Sequence, residues 1–260
     1  MVPGMSDVLV LCFHAVSDDW PADLSSTPQL LEEALALLVE RGYRGATFHD
    51  AVTRASPGRT VSVTFDDAYR SVIDLAFPVL ERLGLPATVF VPTDLVGTGQ
   101  PMAWPGIERW LGGPHERELL GMSWEELGEL AAAGWEIGSH TRSHARLTQL
   151  SEDLLTQELG GSRRTCEERL GRPCKTLAYP YGDVDARVVE ATQAAGYKAA
   201  ATLSYRFRSG ESLLWPRVGI YHRDDLKRFC LKTSPAVRRL QSSPAGALVE
   251  SVRGYAPRRR

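Results

Sequence analysis

Cysteine is scarce in this chain. The four present, Cys12, Cys166, Cys174 and Cys230, show neither the paired spacing of a structural zinc site nor the density of a disulfide framework. Nothing therefore demands a disulfide, and Cys12, inside an apolar run, reads as a small buried hydrophobe. Charge of one sign is missing too: 30 basic against 32 acidic residues leave a formal net charge of −2, with no basic footprint for nucleic acid. Arginines do cluster in Ala256-Pro257-Arg258-Arg259-Arg260, which reads as a short solvated tail. No apolar stretch is long enough to span a bilayer, so no transmembrane segment is expected. The first residues lack a basic region and the apolar run at 8–13 is too short for the core of a signal peptide, which makes a cytoplasmic location the expectation. A leader trimmed away beforehand would leave the same start.

With 260 residues the chain can bury a large core, and one α/β domain is the default. Strand-like runs at 8–13, 44–48, 61–65, 87–91, 135–139, 175–179, 198–203 and 217–221 alternate with helical patterns and show no internal repeat. That alternation predicts a parallel α/β architecture. Several helices carry their own punctuation. Thr27-Pro28 opens one that Gly42 closes, Ser123-Trp124-Glu125-Glu126 is a capping box, and Ser151 caps another that weakens at Gly160-Gly161. Pro78 should kink the helix expected over 69–83. His49 and Asp50 read as a helix cap beside a surface histidine. Residues 92–121, rich in Gly, Pro and Trp, form a long irregular excursion of the kind that covers a binding site. Within it, Trp104 and Trp110 suit either stacking on a sugar face or packing in the core. A barrel domain over residues 1–233 and a C-terminal extension over 234–260, helical in part and ending in the basic tail, complete the expected organisation.

The chemistry starts at Val61-Ser62-Val63-Thr64-Phe65-Asp66-Asp67, a buried-strand pattern that stops at two adjacent carboxylates. Neighbouring acids repel unless a cation or a shared proton relieves them. Downstream, His140-Thr141-Arg142-Ser143-His144 offers two imidazoles that share a face if the segment turns helically. One carboxylate with two imidazoles is a three-ligand divalent-metal set of the catalytic kind, leaving a position open for water and the other carboxylate free as a base. Taken singly, the acids also suit a helix cap or turn, and the histidines a solvated helix face. His14, Asp66, Asp67, His140, Tyr181 and His222 all follow expected strands, and a parallel barrel gathers those strand ends at one mouth where an open sheet would spread them.

Thr64-Phe65-Asp66-Asp67, His140-Thr141-x-x-His144 and Pro180-Tyr181-Gly182 resemble, in order and spacing, the first three motifs of the polysaccharide deacetylases, carbohydrate esterase family 4. Leu177-Ala178-Tyr179-Pro180-Tyr181-Gly182 is similar to the poly-N-acetylglucosamine deacetylase subgroup. The resemblance implies a distorted (β/α)7 barrel that removes acetyl groups from sugars with a divalent metal, zinc foremost. It implies Asp67, His140 and His144 as metal ligands, Asp66 as general base, and the Tyr181 backbone N–H, beside Pro180, against the substrate oxyanion. Ile220-Tyr221-His222 is similar to the fifth motif and implies His222 as the acid. His14 joins the substrate-binding candidates from its place after the first strand. Two departures stand out. The arginine two residues before the motif-three proline is replaced by Ala178, and Arg217 is expected to pair with Asp66 in its stead. No Asp-x-x-Asp-Trp fourth motif occurs, so Leu213-Leu214-Trp215-Pro216 is expected to supply the aromatic wall.

The expected partner is accordingly an N-acetylated saccharide. Two other readings remain open at the level of the sequence: a metal amidase acting on a non-sugar C–N bond, and an inactive carbohydrate-binding barrel. An open groove with exposed aromatics over residues 92–121 would favour a sugar chain, and a closed pocket a compact amide.

Overall fold

A computed structural model describes residues 7–54, 58–203 and 212–241. Its N-terminal part contains β1 (Asp7–Phe13), β2 (Ala15–Val16), β3 (Ser25–Ser26), α1 (Pro28–Glu40), β4 (Tyr43–Gly45), α2 (Phe48–Thr53), β5 (Arg59–Phe65), α3 (Phe77–Arg82) and β6 (Ala87–Val91). After the excursion come α4 (Trp124–Ala132), β7 (Glu136–Ser139), α5 (Glu152–Thr156), α6 (Ser162–Leu170), β8 (Thr176–Ala178) and α7 (Ala186–Ala194). The chain continues with β9 (Ala199–Thr202), β10 (Trp215–Pro216), β11 (Val218–Gly219), α8 (Leu226–Thr233) and α9 (Pro235–Gln241).

Eight parallel strands run in the order β10-β9-β8-β7-β6-β5-β1-β11, with β4 added on β5. Strands β10 and β11 end the order on opposite sides yet are separated in sequence by Arg217 alone. The sheet is thus a nearly closed barrel, and with β10 and β11 counted as one interrupted strand it is the expected distorted (β/α)7 form. Its parallel strands are buried on both faces, which is why β1 and β6 read as near-continuous apolar runs and why β5 buries Thr60, Ser62 and Thr64 between its apolar residues. Inside, Val10, Phe90, Ala178, Ala199 and Ala201 pack with Phe48. Gly138 is required there, because a Cβ on it would lie 2.7 Å from the Phe90 ring.

Local signals act as physical chemistry requires. Thr27 accepts from the Leu30 amide with Pro28 at the first turn, and Ser123 and Glu126 close a capping box at α4. Pro78 lacks an amide and its ring displaces the carbonyl four residues back. The turn before α3 accordingly widens to a π-helix over Val72–Ala76, with the Phe77 amide reaching the Val72 carbonyl. A second π-turn covers Gln157–Gly161, where Gly160-Gly161 was expected to weaken the helix.

Two local expectations are corrected. The fourth strand stops at Gly45, and Thr47 rather than His49 or Asp50 caps α2, placing His49 and Asp50 within the helix. Of the C-terminal extension, α9 reaches Gln241, and residues 242–260 with the basic tail lie outside the described residues. Among the described residues no helix is long and apolar enough to cross a membrane.

Candidate metal and catalytic centre

Five non-glycine residues among those described have positive φ: Asp67 (68°), Ala68 (56°), Thr141 (64°), His144 (59°) and Tyr181 (59°). All follow the C-terminal ends of β5, β7 or β8. Left-handed backbone costs such residues roughly 1–3 kcal/mol each, so its confinement to one end of the barrel marks that end as the worked surface. The reversals at Asp67 and Ala68 let two successive carboxylates both turn inward, and Asp66 and Asp67 are only 2% and 1% exposed. Those at Thr141 and His144 correct the helical expectation for His-x-x-x-His. The segment is a non-helical turn, and left-handed residues rather than helical periodicity bring the imidazoles together. Their ring centroids are 4.9 Å apart.

Both rings meet Asp67: its Oδ1 lies 3.4 Å from His140 Nε2 and 3.3 Å from His144 Nε2. His140 Nδ1 is 2.8 Å from the Ala178 carbonyl, which can only accept, so the neutral ring carries its proton on Nδ1 and turns a lone pair at Asp67. Asp67 Oδ1, fully buried, accepts no hydrogen bond. A carboxylate oxygen and two Nε2 atoms thus converge with no hydrogen bond joining them, and one donor atom from each of the three lies within 4.8 Å of the other two. That donor set fits a divalent cation, and the Ala178 carbonyl supplies the outer contact that fixes a ligating histidine. His144 is held differently, with the Trp104 ring 4.3 Å and the Tyr181 ring 4.6 Å from its own. Burial pushes the His144 pKa down to about 4. Burial also opposes charge on His140, but Asp66 and Asp67 outweigh it and raise its pKa.

Asp66 is treated oppositely. Arg217 Nη1 and Nη2 donate to its Oδ1 and Oδ2 at 2.6 and 2.7 Å, and Nη1 also donates to Thr64 Oγ1 at 3.0 Å. Burial alone would raise the Asp66 pKa, but the guanidinium outweighs it and holds the carboxyl well below the usual range. The replacement expected for the missing arginine at Ala178 is therefore present as geometry, delivered by the residue that closes the barrel.

A second cluster surrounds the same carboxylate. Cys12 Sγ is 3.4 Å from Asp66 Oδ2, and donor atoms of Cys12, His14 and Asp66 lie within 4.8 Å of one another. His14 is 8% exposed, and its Nδ1 has no partner. His222 has partners of its own: its Nδ1 is 2.9 Å from Ser25 Oγ and its backbone amide donates to the Asp23 carbonyl. Tyr181 is half-buried with the Arg146 guanidinium 4.1 Å above its ring, and Pro180 beside it is buried.

The aromatic expectations need revision. Trp215, partly buried in the short β10, packs against the barrel-interior cluster. Trp104 is 7% exposed and spent on His144, while Trp110 is half-buried with its edge toward Trp20. The excursion therefore braces the centre instead of presenting a row of open rings. Two contributors escaped the sequence reading, Cys12 and the bracing role of Trp104. Cys12 stands two before His14, a period-two relation that could have linked them; nothing in the sequence singles out Trp104 from Trp110.

Comparison with known proteins agrees with this layout. The profile of the family described as polysaccharide deacetylase matches residues 53–200, more than half of the chain. YxkH of Bacillus subtilis is 24% identical over 74% of this chain and 63% of its own length. Poly-beta-1,6-N-acetyl-D-glucosamine N-deacetylase of Staphylococcus aureus is 27% identical over 64% of this chain and 53% of its own. The chain thus spans between half and two thirds of the curated relatives it matches. Among solved structures, a polysaccharide deacetylase from Bacillus cereus superposes with a TM-score of 0.71 at 27% identity, covering 87% of this chain and 69% of that one. IcaB from Ammonifex degensii gives 0.72 at 26% identity, covering 89% and 99%.

Proposed function

Because the chain belongs to the polysaccharide deacetylase family, we propose that it hydrolyses the acetamido group of an N-acetylated saccharide, using a divalent cation held by Asp67, His140 and His144. The observation that carries this reading is the convergence of Asp67 Oδ1 with two Nε2 atoms beside a second, separately neutralised carboxylate. The curated N-acetyl-D-glucosamine deacetylase relative supports an N-acetylglucosamine unit in the substrate.

When bound, the cation would polarise the acetyl carbonyl and acidify a water at the open position, chemistry for which zinc suits the two-imidazole, one-carboxylate set. Asp66 accepts the proton of the attacking water. Arg217 keeps it ionised and fixes both its oxygens, so the base is ready and oriented before substrate arrives. The Tyr181 backbone, strained to φ 59° beside His144, is the candidate donor to the developing oxyanion. The leaving nitrogen needs a proton. His14 is the better-placed carrier, being buried among the carboxylates, whereas the His222 ring is engaged with Ser25.

The test is acetate release from N-acetylglucosamine oligomers by protein stripped of metal and then reconstituted with zinc. Activity that returns with zinc supports the reading. Metal uptake without acetate from any N-acetylated sugar would leave a binding barrel instead.

A further inference from the structure

The thiol of Cys12 has no part in the steps above, yet it lies beside the most charged point of the barrel. Cys12 and His14 are two residues apart in extended chain and so face the same way. With Asp66 they form a thiol, an imidazole and a carboxylate that are 0%, 8% and 2% exposed, with donor atoms within 4.8 Å of one another. We propose that Cys12, His14 and Asp66 form a second, weaker site for a thiophilic divalent cation such as zinc or cadmium, and that filling it inhibits the enzyme.

Three observations carry this. The donor types are those that bind zinc and its soft congeners. His14 Nδ1 is buried with no partner, so a ring nitrogen is left without the bond that burial normally requires. Cys12 Sγ has only two weak contacts, 3.4 Å to Asp66 Oδ2 and 3.8 Å to the Phe13 carbonyl, and because burial and Asp66 hold its proton on, the entering cation itself must displace that proton.

Arg217 decides the ranking of the two sites. Its guanidinium neutralises Asp66 and places a positive charge beside any entering cation, whereas Asp67 has no such partner. Each carboxylate oxygen has two acceptor directions, so Asp66 Oδ2 can keep Arg217 and still meet a cation. The second site should therefore fill only after the first. Occupation removes Asp66 and His14 from proton transfer, which is why it inhibits; this last clause rests on the deacetylase reading.

Cadmium titration of the metal-free full chain tests the proposal, read by equilibrium dialysis and by thiolate-to-cadmium ultraviolet absorption. The Asp67, His140 and His144 set contains no sulfur, so only the second site gives the band. The expected result is two bound equivalents, with absorption rising on the second. Cys12→Ala should bind one equivalent without that band, and His14→Ala should weaken the second by at least about tenfold. Cys166 and Cys174 are also buried thiols, so the double variant Cys166→Ala/Cys174→Ala is needed and should keep the band. If Cys12→Ala does not fold, Cys12→Ser removes the thiolate with a smaller change of shape. A single equivalent at saturation, or a band that survives loss of Cys12, overturns the proposal. Excess zinc should depress acetate release by the parent chain more than by Cys12→Ala. Absence of acetate release with the cadmium pattern intact would count against the deacetylase reading and leave the second site standing.

Discussion

At the N-terminal end of β7, Glu136 accepts from the His49 amide at 2.8 Å, from Thr88 Oγ1 at 3.1 Å and from Thr176 Oγ1 at 2.6 Å, whereas at the mouth Asp67 Oδ1 accepts nothing. Glu136 stands among regular strand ends. Asp67 stands on a left-handed turn with four more strained residues nearby in the fold. A buried acid with its acceptors filled is a structural part, joining α2 to three strands. One with an empty acceptor and strained backbone around it is held for something the chain does not contain.

Breaking the mouth should cost activity and spare the fold. Asp67→Ala removes a cation ligand, so acetate release should fall by about 10³-fold or more while cooperative unfolding in urea is retained. Loss of folding in that variant would mean that the trio is structural. Next, His14→Ala should lower kcat by about 10²–10⁴-fold, the range of a positioned acid or base, and His222→Ala by less than about tenfold. The reverse order would return the proton to His222.

Arg217 sharpens the contrast because it both neutralises Asp66 and joins β10 to β11. Arg217→Met leaves Asp66 buried without a partner and opens the seam between β10 and β11, at an expected cost of about 3–5 kcal/mol in denaturant unfolding. In the parent chain the Asp66 pKa is below its unfolded value. Its contribution to stability is therefore complete above about pH 4, the ordinary aspartate value, and is lost as pH falls toward the folded value. Without Arg217 that acid-side loss should disappear.

The smallest effect belongs to the base. Burial raises the Glu136 pKa, so the folded chain holds that proton more tightly and stability should decline as pH rises past about 4.3, the ordinary glutamate value. Glu136→Gln should flatten this decline, shift stability at neutral pH by roughly 1 kcal/mol, and leave acetate release unchanged. A large loss of activity would show the two ends to be coupled.

Much of the centre was legible because its residues follow segments with a strand pattern. Phe65-Asp66-Asp67 and Ser139-His140 end such runs, and in a parallel barrel that position alone puts them at the mouth. His144 was placed by the wrong route, since a spacing of four suggests a helical face and cannot reveal two left-handed residues in a turn. His14 and His222 look equivalent in sequence, each a histidine just past a strand. Only the loop carrying Ser25 and Asp23, which engages His222, separates them. For Trp215, a two-residue strand carries too little pattern to fix which way its side chain faces.

By itself the sequence determined the parallel barrel, the paired acids and the two histidines that join them, since periodicity and residue chemistry are local properties. The tertiary structure alone decided which oxygen meets which nitrogen, that Arg217 rather than residue 178 neutralises Asp66, and that Cys12 joins His14 beside it. Those contacts span up to 151 positions along the chain. The Arg217 contacts are set by how the last strand closes against the first and the Asp67 contacts by how β5 and β7 flank β6, and no window of neighbouring residues contains either.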